Sequence, residues 1–480
     1  MSRGDDAGDR RRLLMVANPF PPQVSGGNAR LLRFARYLPE CGWDVTVLAA
    51  DVPGTAPVPS DLHIVRTTAP GPEGAYRLAR RLTRGSGGRL GPRSSPASAG
   101  ESDVEALNNV EGPSPAAGTS GTAGSPAPAP AAGPQRRSSR RGAVNDWIAV
   151  PDEFAGWIAP AASRGRRLLR ERRYHAIFSS FPKPSAELVA SILARVSGLP
   201  WIADYRDPWA TRHLRRYPTP LHRSVHYALE DRALRPVAAV TATNRPIADS
   251  LRHRFPALSD RVYVLPNGYD PLERPEEVPP LGPGPWIVHT GRLYGRAEQL
   301  SRVLRAFAAL TSDARLLFVG IQGDELLREA SGLGIRERVR TVPFVPHGRA
   351  LGYQRAADAL LLITGNAPEA LSSKVFEYLA AGRPIFAFIP RDSAADRLLE
   401  STGGAVRAYQ DDAPEDALRE FVDAIRNGRL PPPDDEVVAR YDGRALTRRL
   451  AGYLDCLAEQ AALRMVGRAP SSAGVEAGTR

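Results

Sequence analysis

Two glutamates, Glu369 and Glu377, stand with seven residues between them, and Lys374 lies three positions before the second. A carboxylate accepts hydrogen bonds at two oxygens, and the vicinal diol of a ribose can donate two. Glu377 suits such a diol, and Glu369 suits a second sugar. Residues three apart share one face of a helix, so Lys374 would bring a positive charge to the same place, where a phosphate could meet it. The set fits a nucleoside diphosphate sugar. It fits equally a Lys–Glu pair on a solvated helix face, and these residues alone leave both readings open.

The surrounding stretch supplies elements to hold them. Residues 368–384 read P-E-A-L-S-S-K-V-F-E-Y-L-A-A-G-R-P. Ser372 and Ser373 are good N-caps, because a short hydroxyl side chain satisfies a free backbone N–H. Residues 374–381 are good helix formers apart from Val375 and the aromatics, with Phe376, Leu379 and Ala380 as a buried stripe. Gly382 stands where a left-handed C-cap is wanted, and Pro384 forbids continuation. An apolar strand, 385–389, follows. The spacing predicts a loop, a short helix and a strand, with the helix N-terminus adding free N–H groups for a phosphate.

E-x7-E followed by Y-L-A-A-G-R-P resembles the donor-site signature of family-4 glycosyltransferases, which have the two-domain GT-B fold. The variant S-S-K-V-F-E-Y-L-A-A-G-R-P is similar to a bacterial branch common among polysaccharide and cell-envelope enzymes. The resemblance implies that Glu377 holds the ribose, Glu369 touches the donor sugar, and basic residues such as Lys374 hold the pyrophosphate.

At 480 residues and 42% hydrophobic, the chain is long enough for two domains and a linker. The net charge of +12, from 64 Lys+Arg against 52 Asp+Glu, fits nucleic acid, an anionic membrane or polyphosphate ligands; a compositional bias toward arginine explains it as well. Two cysteines, Cys41 and Cys456, make no disulfide framework, which points to a reducing, cytoplasmic setting. Residues 1–12 carry no signal-peptide h-region and read as disordered. No apolar run is long enough to span a membrane.

Taken in order, residues 13–17 predict a buried strand, 28–38 an amphipathic helix and 45–49 a second strand, a βαβ unit that implies a parallel sheet. Gly26 and Gly27 precede the helix and resemble the Gly-Gly loop that faces the cleft in family-4 enzymes. No G-x-G-x-x-G follows the strand, which disfavours a nicotinamide or flavin site. An Ala/Pro/Gly/Ser-rich insert, 85–142, is expected to be disordered, because it cannot bury enough apolar area to offset its chain entropy. Residues 147–160, with Trp147 and Trp157, read as an ordered binding loop, and 164–173 as a strongly basic helix. A strand at 201–203 runs into D-Y-R-D-P-W, residues 204–209. Charges dense at the carboxyl end of a parallel strand mark a ligand site or an Asp–Arg–Asp network that holds a loop. By the resemblance, Arg206 and Asp207 occupy the places of a His-Asp pair that lines the donor-sugar pocket, with Arg206 a departure from the histidine. P-N-G-Y-D at 266–270 resembles the motif that closes the first family-4 domain, which implies a first domain over 13–270.

Residues 271–285 read as a linker and 286–430 as a second, donor-binding domain. Arg292 and Arg296 flank its first strand-to-helix turn, where guanidinium forks can grip phosphate oxygens; the family places basic residues there on the donor diphosphate. Residues 431–467 read as a helical segment that the resemblance to GT-B proteins implies is a crossover helix returning to the first domain, and 468–480 as a disordered tail. The expected fold class is α/β: GT-B, two doubly wound Rossmann-like domains facing a cleft, with the C-terminal helix crossing back. The resemblance implies a retaining, metal-independent glycosyltransferase that uses a nucleotide-diphosphate sugar, with no cofactor and no D-x-D metal motif in the cleft. The acceptor would be polysaccharide, lipid-linked or a secondary metabolite. A peripheral contact with anionic membrane is expected through the basic helix and the tryptophan loop, and no nucleic acid. The alternatives are a non-catalytic nucleotide-sugar-binding or scaffold protein and a nucleotide-sugar 2-epimerase.

Overall fold

The computed structural model describes residues 10–23, 28–54, 56–70, 150–211, 217–293, 296–321, 323–369 and 371–466. Gly26, Gly27, Trp147 and the insert 85–142 lie outside the described residues.

Among the described residues thirteen strands form two parallel sheets. The first is built from β1 (Arg11–Ala17), β2 (Trp43–Asp51), β3 (His63–Thr68), β4 (Ala176–Phe181), β5 (Trp201–Tyr205), β6 (Ala239–Ala242) and β7 (Val262–Val264), in the order β3-β2-β1-β4-β5-β6-β7. The second holds β8 (Trp286–Thr290), β9 (Arg315–Val319), β10 (Val339–Val342), β11 (Ala359–Ile363), β12 (Ile385–Ile389) and β13 (Ala405–Tyr409), in the order β10-β9-β8-β11-β12-β13. Central strands such as Leu-Leu-Met-Val-Ala of β1 and Ala-Leu-Leu-Leu-Ile of β11 are buried end to end, as parallel strands covered on both faces must be. Strand order reverses between β1 and β4 and again between β8 and β11. Those reversals leave a crevice at the carboxyl ends of the strands, where open α/β sheets bind ligands.

The first domain carries helices α1 (Asn28–Tyr37), α2 (Ile158–Glu171), α3 (Pro184–Ser197), α4 (Pro220–Leu234) and α5 (Arg245–Arg254). The second carries α6 (Ala297–Ala308), α7 (Asp324–Gly332), α8 (His347–Ala356), α9 (Lys374–Ala380), α10 (Ala394–Thr402) and α11 (Glu415–Arg426). Two helices follow, α12 (Asp435–Ala439) and α13 (Gly443–Val466). The crossover is therefore not one helix over 431–467: a short turn of helix stays with the second domain, and α13 makes the crossing. Leu446, Leu450 and Leu454 of α13 enter the core with Leu13, Phe34 and Val47. Asp455 accepts from the Trp43 indole at 3.0 Å and pairs with Arg11.

The chain passes between domains twice, side by side. Tyr269 N donates to Tyr441 O at 3.1 Å and Gly443 N to Tyr269 O at 2.9 Å. Gly268 of P-N-G-Y-D is needed there, since a Cβ would lie 2.0 Å from the Tyr441 carbonyl oxygen.

Several expectations change. β1 begins at Arg11, inside the stretch 1–12 read as disordered, because Arg11 pairs with Asp455 and Glu459 of α13. The edge strands β3 and β13 were not expected; both are only partly buried, and an arginine interrupts each, so they lack the continuous apolar run of a central strand. The basic helix starts earlier than 164, at Ile158. Its Leu168 is core, and Trp157 is fully buried with its indole donating to Thr67 Oγ1 at 2.8 Å, so neither is offered to a lipid interface. Among the described residues no helix is long and apolar enough to cross a membrane.

Candidate functional site

The second domain's reversal is where its charged residues gather. β8 ends at Thr290, and the chain turns at Gly291 with φ +81°. A Cβ on Gly291 would lie 2.5 Å from Lys374 Nζ, so the missing side chain is what lets the lysine lie across the strand end. Lys374 Nζ donates to the Arg292 carbonyl at 3.1 Å. Burial pulls the Lys374 amine down to about 8, with Arg296 adding to the effect and Glu377 opposing it. Arg296 donates to Ile363 O, at the end of β11, at 2.7 Å; burial lowers its pKa as well. The structure thus brings Lys374 onto the backbone of Arg292 and into electrostatic reach of Arg296. His289 lies beneath them, 1% exposed, with Nδ1 2.9 Å from Leu361 O. Burial first, then the Lys374 charge, drives it down to about 3, so it is neutral, and its Nε2 has no partner among the described residues.

Lys374 and Glu377 sit on α9 as expected, but the helix is capped differently. Ser373 stands at the N-cap in helical conformation with no side-chain cap bond; Ser372 Oγ accepts weakly from Lys374 N at 3.4 Å. The helix is two turns long, so its dipole is small and the charge of this site comes from side chains. Gly382 takes φ +68° just past its end, as the sequence requires.

Glu377 is only partly satisfied. Gln354 Nε2 donates to Glu377 Oε2 at 3.3 Å and to Thr290 Oγ1 at 2.9 Å, while its own Oε1 is buried without a partner among the described residues. His347 Nε2 is 4.0 Å from Glu377 Oε1 and 2.9 Å from Glu273 Oε2. The hydrogen bond to Glu273 holds His347 up at about 9, while burial raises Glu377. A cavity of about 420 Å³ runs along this edge, lined by Glu377, Gln354, Glu273, Asp270 and Asp435 among others. Gln354, His347 and Glu273 were all missed from sequence. The two on α8 lie in a helix of almost no amphipathic character, which gives the sequence no periodic signal to read. Pro346 immediately before His347 was its one start signal.

Glu369 is half-buried on the loop after β11, and its carbonyl accepts from Asn244 Nδ2 of the first domain at 3.0 Å. The same Asn244 caps α5 through Oδ1, which accepts from Ile247 N at 3.1 Å. Its neighbour Thr243 donates through Oγ1 to the Arg206 carbonyl at 2.9 Å. A chain of bonds thus joins Arg206, Thr243, Asn244 and Glu369 across the cleft. Arg206 and Asp207 follow β5 and are half-buried at the sheet's carboxyl edge. The other charged or aromatic members of D-Y-R-D-P-W are structural: Asp204 is fully buried against Arg30, and the Trp209 indole faces His226 Nδ1 at 3.2 Å.

Comparison with known proteins matches this picture. Residues 123–272 match the model of Glycosyltransferase Family 4, and residues 284–427 that of Glycosyl transferases group 1. No curated protein matches the sequence significantly. Among solved structures, sucrose-phosphate synthase from Thermosynechococcus elongatus is 14% identical, with 95% of this chain and 99% of that one covered at a TM-score of 0.53. The lipopolysaccharide outer core galactosyltransferase WaaB is 10% identical over 92% and 99% at 0.53. Anabaena Alr3699/HepE in complex with UDP is 12% identical over 95% and 100% at 0.50. At these identities the likeness is one of fold. With one glycosyltransferase family model on each of two parallel α/β domains, the chain belongs to the family-4 glycosyltransferases and has the GT-B fold.

Proposed function

We propose that the protein is a retaining, metal-independent glycosyltransferase that moves a sugar from a nucleotide-diphosphate donor to a polysaccharide, lipid-linked or secondary-metabolite acceptor. The observation that carries this reading is the meeting of Lys374, Arg296 and the Arg292 backbone beside the under-satisfied Glu377, at the carboxyl ends of β8 and β11. Glu377 accepts the ribose diol and Glu369 the donor sugar's hydroxyls. Arg292, Arg296 and Lys374 take the charge that grows on the departing diphosphate as the glycosidic C–O bond breaks. A fixed cation in a partly dry site needs no reorganisation at that moment. Lys374, held near its own pKa by burial, gains most from the arriving negative charge. Gly26 and Gly27 would approach the donor from the first domain, where Arg206 and Asp207 line the sugar pocket. The binding of UDP by the HepE neighbour supports a nucleotide donor.

Attachment at the inner face of a cytoplasmic membrane would rest on the arginines of α2, with Arg167, Arg170 and Arg166 on its outer side. The apolar part of that helix is already in the core. Such attachment would be peripheral and salt-sensitive. Incubating the protein with a panel of nucleotide sugars and following release of the nucleoside diphosphate tests the central reading. At least one donor should be hydrolysed slowly without acceptor, at a rate unchanged by a chelator. Failure to bind or hydrolyse any of the panel removes it.

A further inference from the structure

We propose that Gln354 is a specificity-determining residue for the nucleotide: its side-chain oxygen accepts one ribose hydroxyl while Glu377 accepts the other. The inference rests on the reading that Glu377 holds the ribose.

Gln354 lies in the last turn of α8 and is fully buried. Its Nε2 donates at 2.9 Å to Thr290 Oγ1, at the end of β8, and at 3.3 Å to Glu377 Oε2, on α9. Those two partners fix the orientation of the amide. An ionised carboxylate has no proton to give. The Thr290 hydroxyl donates its own proton to the Tyr378 oxygen at 3.4 Å, and the Thr290 backbone N–H reaches the same oxygen at 2.8 Å. Both partners therefore need a donor, and the NH2 group faces them. The oxygen of the same amide is left over: among the described residues Oε1 is buried with no partner. A buried acceptor left unmet is destabilising, and a ligand that brings a donor to it recovers that loss.

Glu377 is short of a donor on its other oxygen. Gln354 holds Oε2, and Oε1 has His347 Nε2 at 4.0 Å, outside hydrogen-bonding distance. Burial raises the Glu377 pKa; His347 and the Gln354 hydrogen bond oppose it and favour the charged form. Gln354 and Glu377 line the same cavity of about 420 Å³. Two acceptors on side chains tied by one hydrogen bond suit two adjacent hydroxyls on one ring. A phosphate there would be repelled by Glu377, and a lone hydroxyl would leave one acceptor unmet. A vicinal diol meets both.

The test asks which hydroxyl each residue reads. Affinities for UDP and GDP, and for their 2′-deoxy and 3′-deoxy forms, are measured by calorimetry in wild type, Glu377→Ala and Gln354→Met. Wild type should bind each deoxy form of its preferred nucleotide roughly tenfold more weakly than the parent. Glu377→Ala should remove at least one of these two penalties. A wild type with neither penalty, or a Glu377→Ala protein that keeps both, ends the reading of Glu377 itself, whatever Gln354 does. Gln354→Met, of similar length but without the amide, should weaken the parent nucleotide roughly tenfold and remove one penalty while the other stays. Two intact penalties in Gln354→Met overturn the proposal. So does the loss of both, which is what a glutamine that only orients Glu377 would give. A wild-type penalty at one hydroxyl alone overturns it as well. If Gln354→Met does not fold, Gln354→Asn, which keeps the amide but shortens its reach, decides by the same comparison.

Discussion

Each sheet reverses its strand order once, and buried charge crowds both reversals in opposite condition. Beside the first, Asp204 accepts from Arg30 at 2.9 and 2.8 Å, from Ser180 Oγ at 2.8 Å and from Thr241 Oγ1 at 2.7 Å. Arg30 gives its remaining donors to the carbonyls of Leu265 and Pro266 and to Asn267. Every group there has what it needs. Beside the second, among the described residues, Lys374 has a carbonyl at 3.1 Å, Glu377 a long bond at 3.3 Å, and His289 a ring nitrogen without a partner. A saturated buried ion pair locks a strand end, a helix and a hinge together. An under-satisfied set raises the free energy of the empty site, and a ligand carrying both anion and diol recovers it. Density of charge therefore does not distinguish a binding site from a structural one; completeness of pairing does.

The largest effect expected from this contrast is on the saturated side. Asp204→Ala strands the Arg30 guanidinium and should lower stability by about 3–5 kcal/mol in a denaturant melt. Nucleotide affinity in the protein that still folds should hardly change. A melt like that of wild type would mean that the first cluster is not the structural one.

On the other side the signature inverts. Glu377→Ala should weaken nucleoside diphosphate binding by roughly 10- to 100-fold while the melting midpoint holds or rises, since an unmet carboxylate has been removed. Calorimetry beside a thermal melt reads both, and a loss of stability without a loss of affinity would break the comparison.

Lys374→Ala should cost about tenfold in affinity, and its pH dependence sharpens the point. The free-site amine titrates at about 8, and a diphosphate prefers the charged form, so affinity should be flat below that value and fall as pH rises through it. Lys374→Arg should flatten the profile. The effect on stability has the other sign. The unfolded lysine keeps its proton to 10.5, so between about 8 and 10.5 the unfolded chain binds more protons and this residue's destabilising share shrinks as pH rises.

The smallest effect belongs to His347, whose side chain is half exposed. Its folded pKa of about 9 lies above the ordinary 6.5. Its stabilising share is therefore whole below pH 6.5 and lost as pH rises through about 9. The difference in melting temperature between wild type and His347→Gln should be clear at pH 6 and gone near pH 10. A difference independent of pH would assign the residue to packing rather than charge.

Much of this was legible because it is local. Apolar runs of five residues separated by helical spacing announced the parallel sheets, and the unit from Lys374 to Pro384 announced a helix, its stop and the strand after it. Arg292, Arg296, Lys374, Glu369 and Glu377 stood out in the sequence because their types suit a diphosphate and two sugars. What escaped was structure without a strong period: the edge strands β3 and β13, each broken by an arginine, and α8 with His347 and Gln354. The tryptophan at 157 was misread for a related reason, since an aromatic beside prolines and acids looks the same whether it meets a ligand or Thr67 in the core.

Arg30 and Arg33 mark where sequence stops and tertiary structure takes over. They stand one turn apart on α1, and along the chain they are two basic residues on an amphipathic helix, both expected in water. Packing buries both. One meets Asp204 from a strand 174 residues away and becomes part of the frame. The other packs against Gly443, where the chain crosses between the domains. Local sequence determined that the helix forms and that it carries two positive charges. Which charge would find a complete set of partners depended on residues brought near only by two sheets and a double crossing of the hinge, and no pattern within a window of the chain encodes that distance.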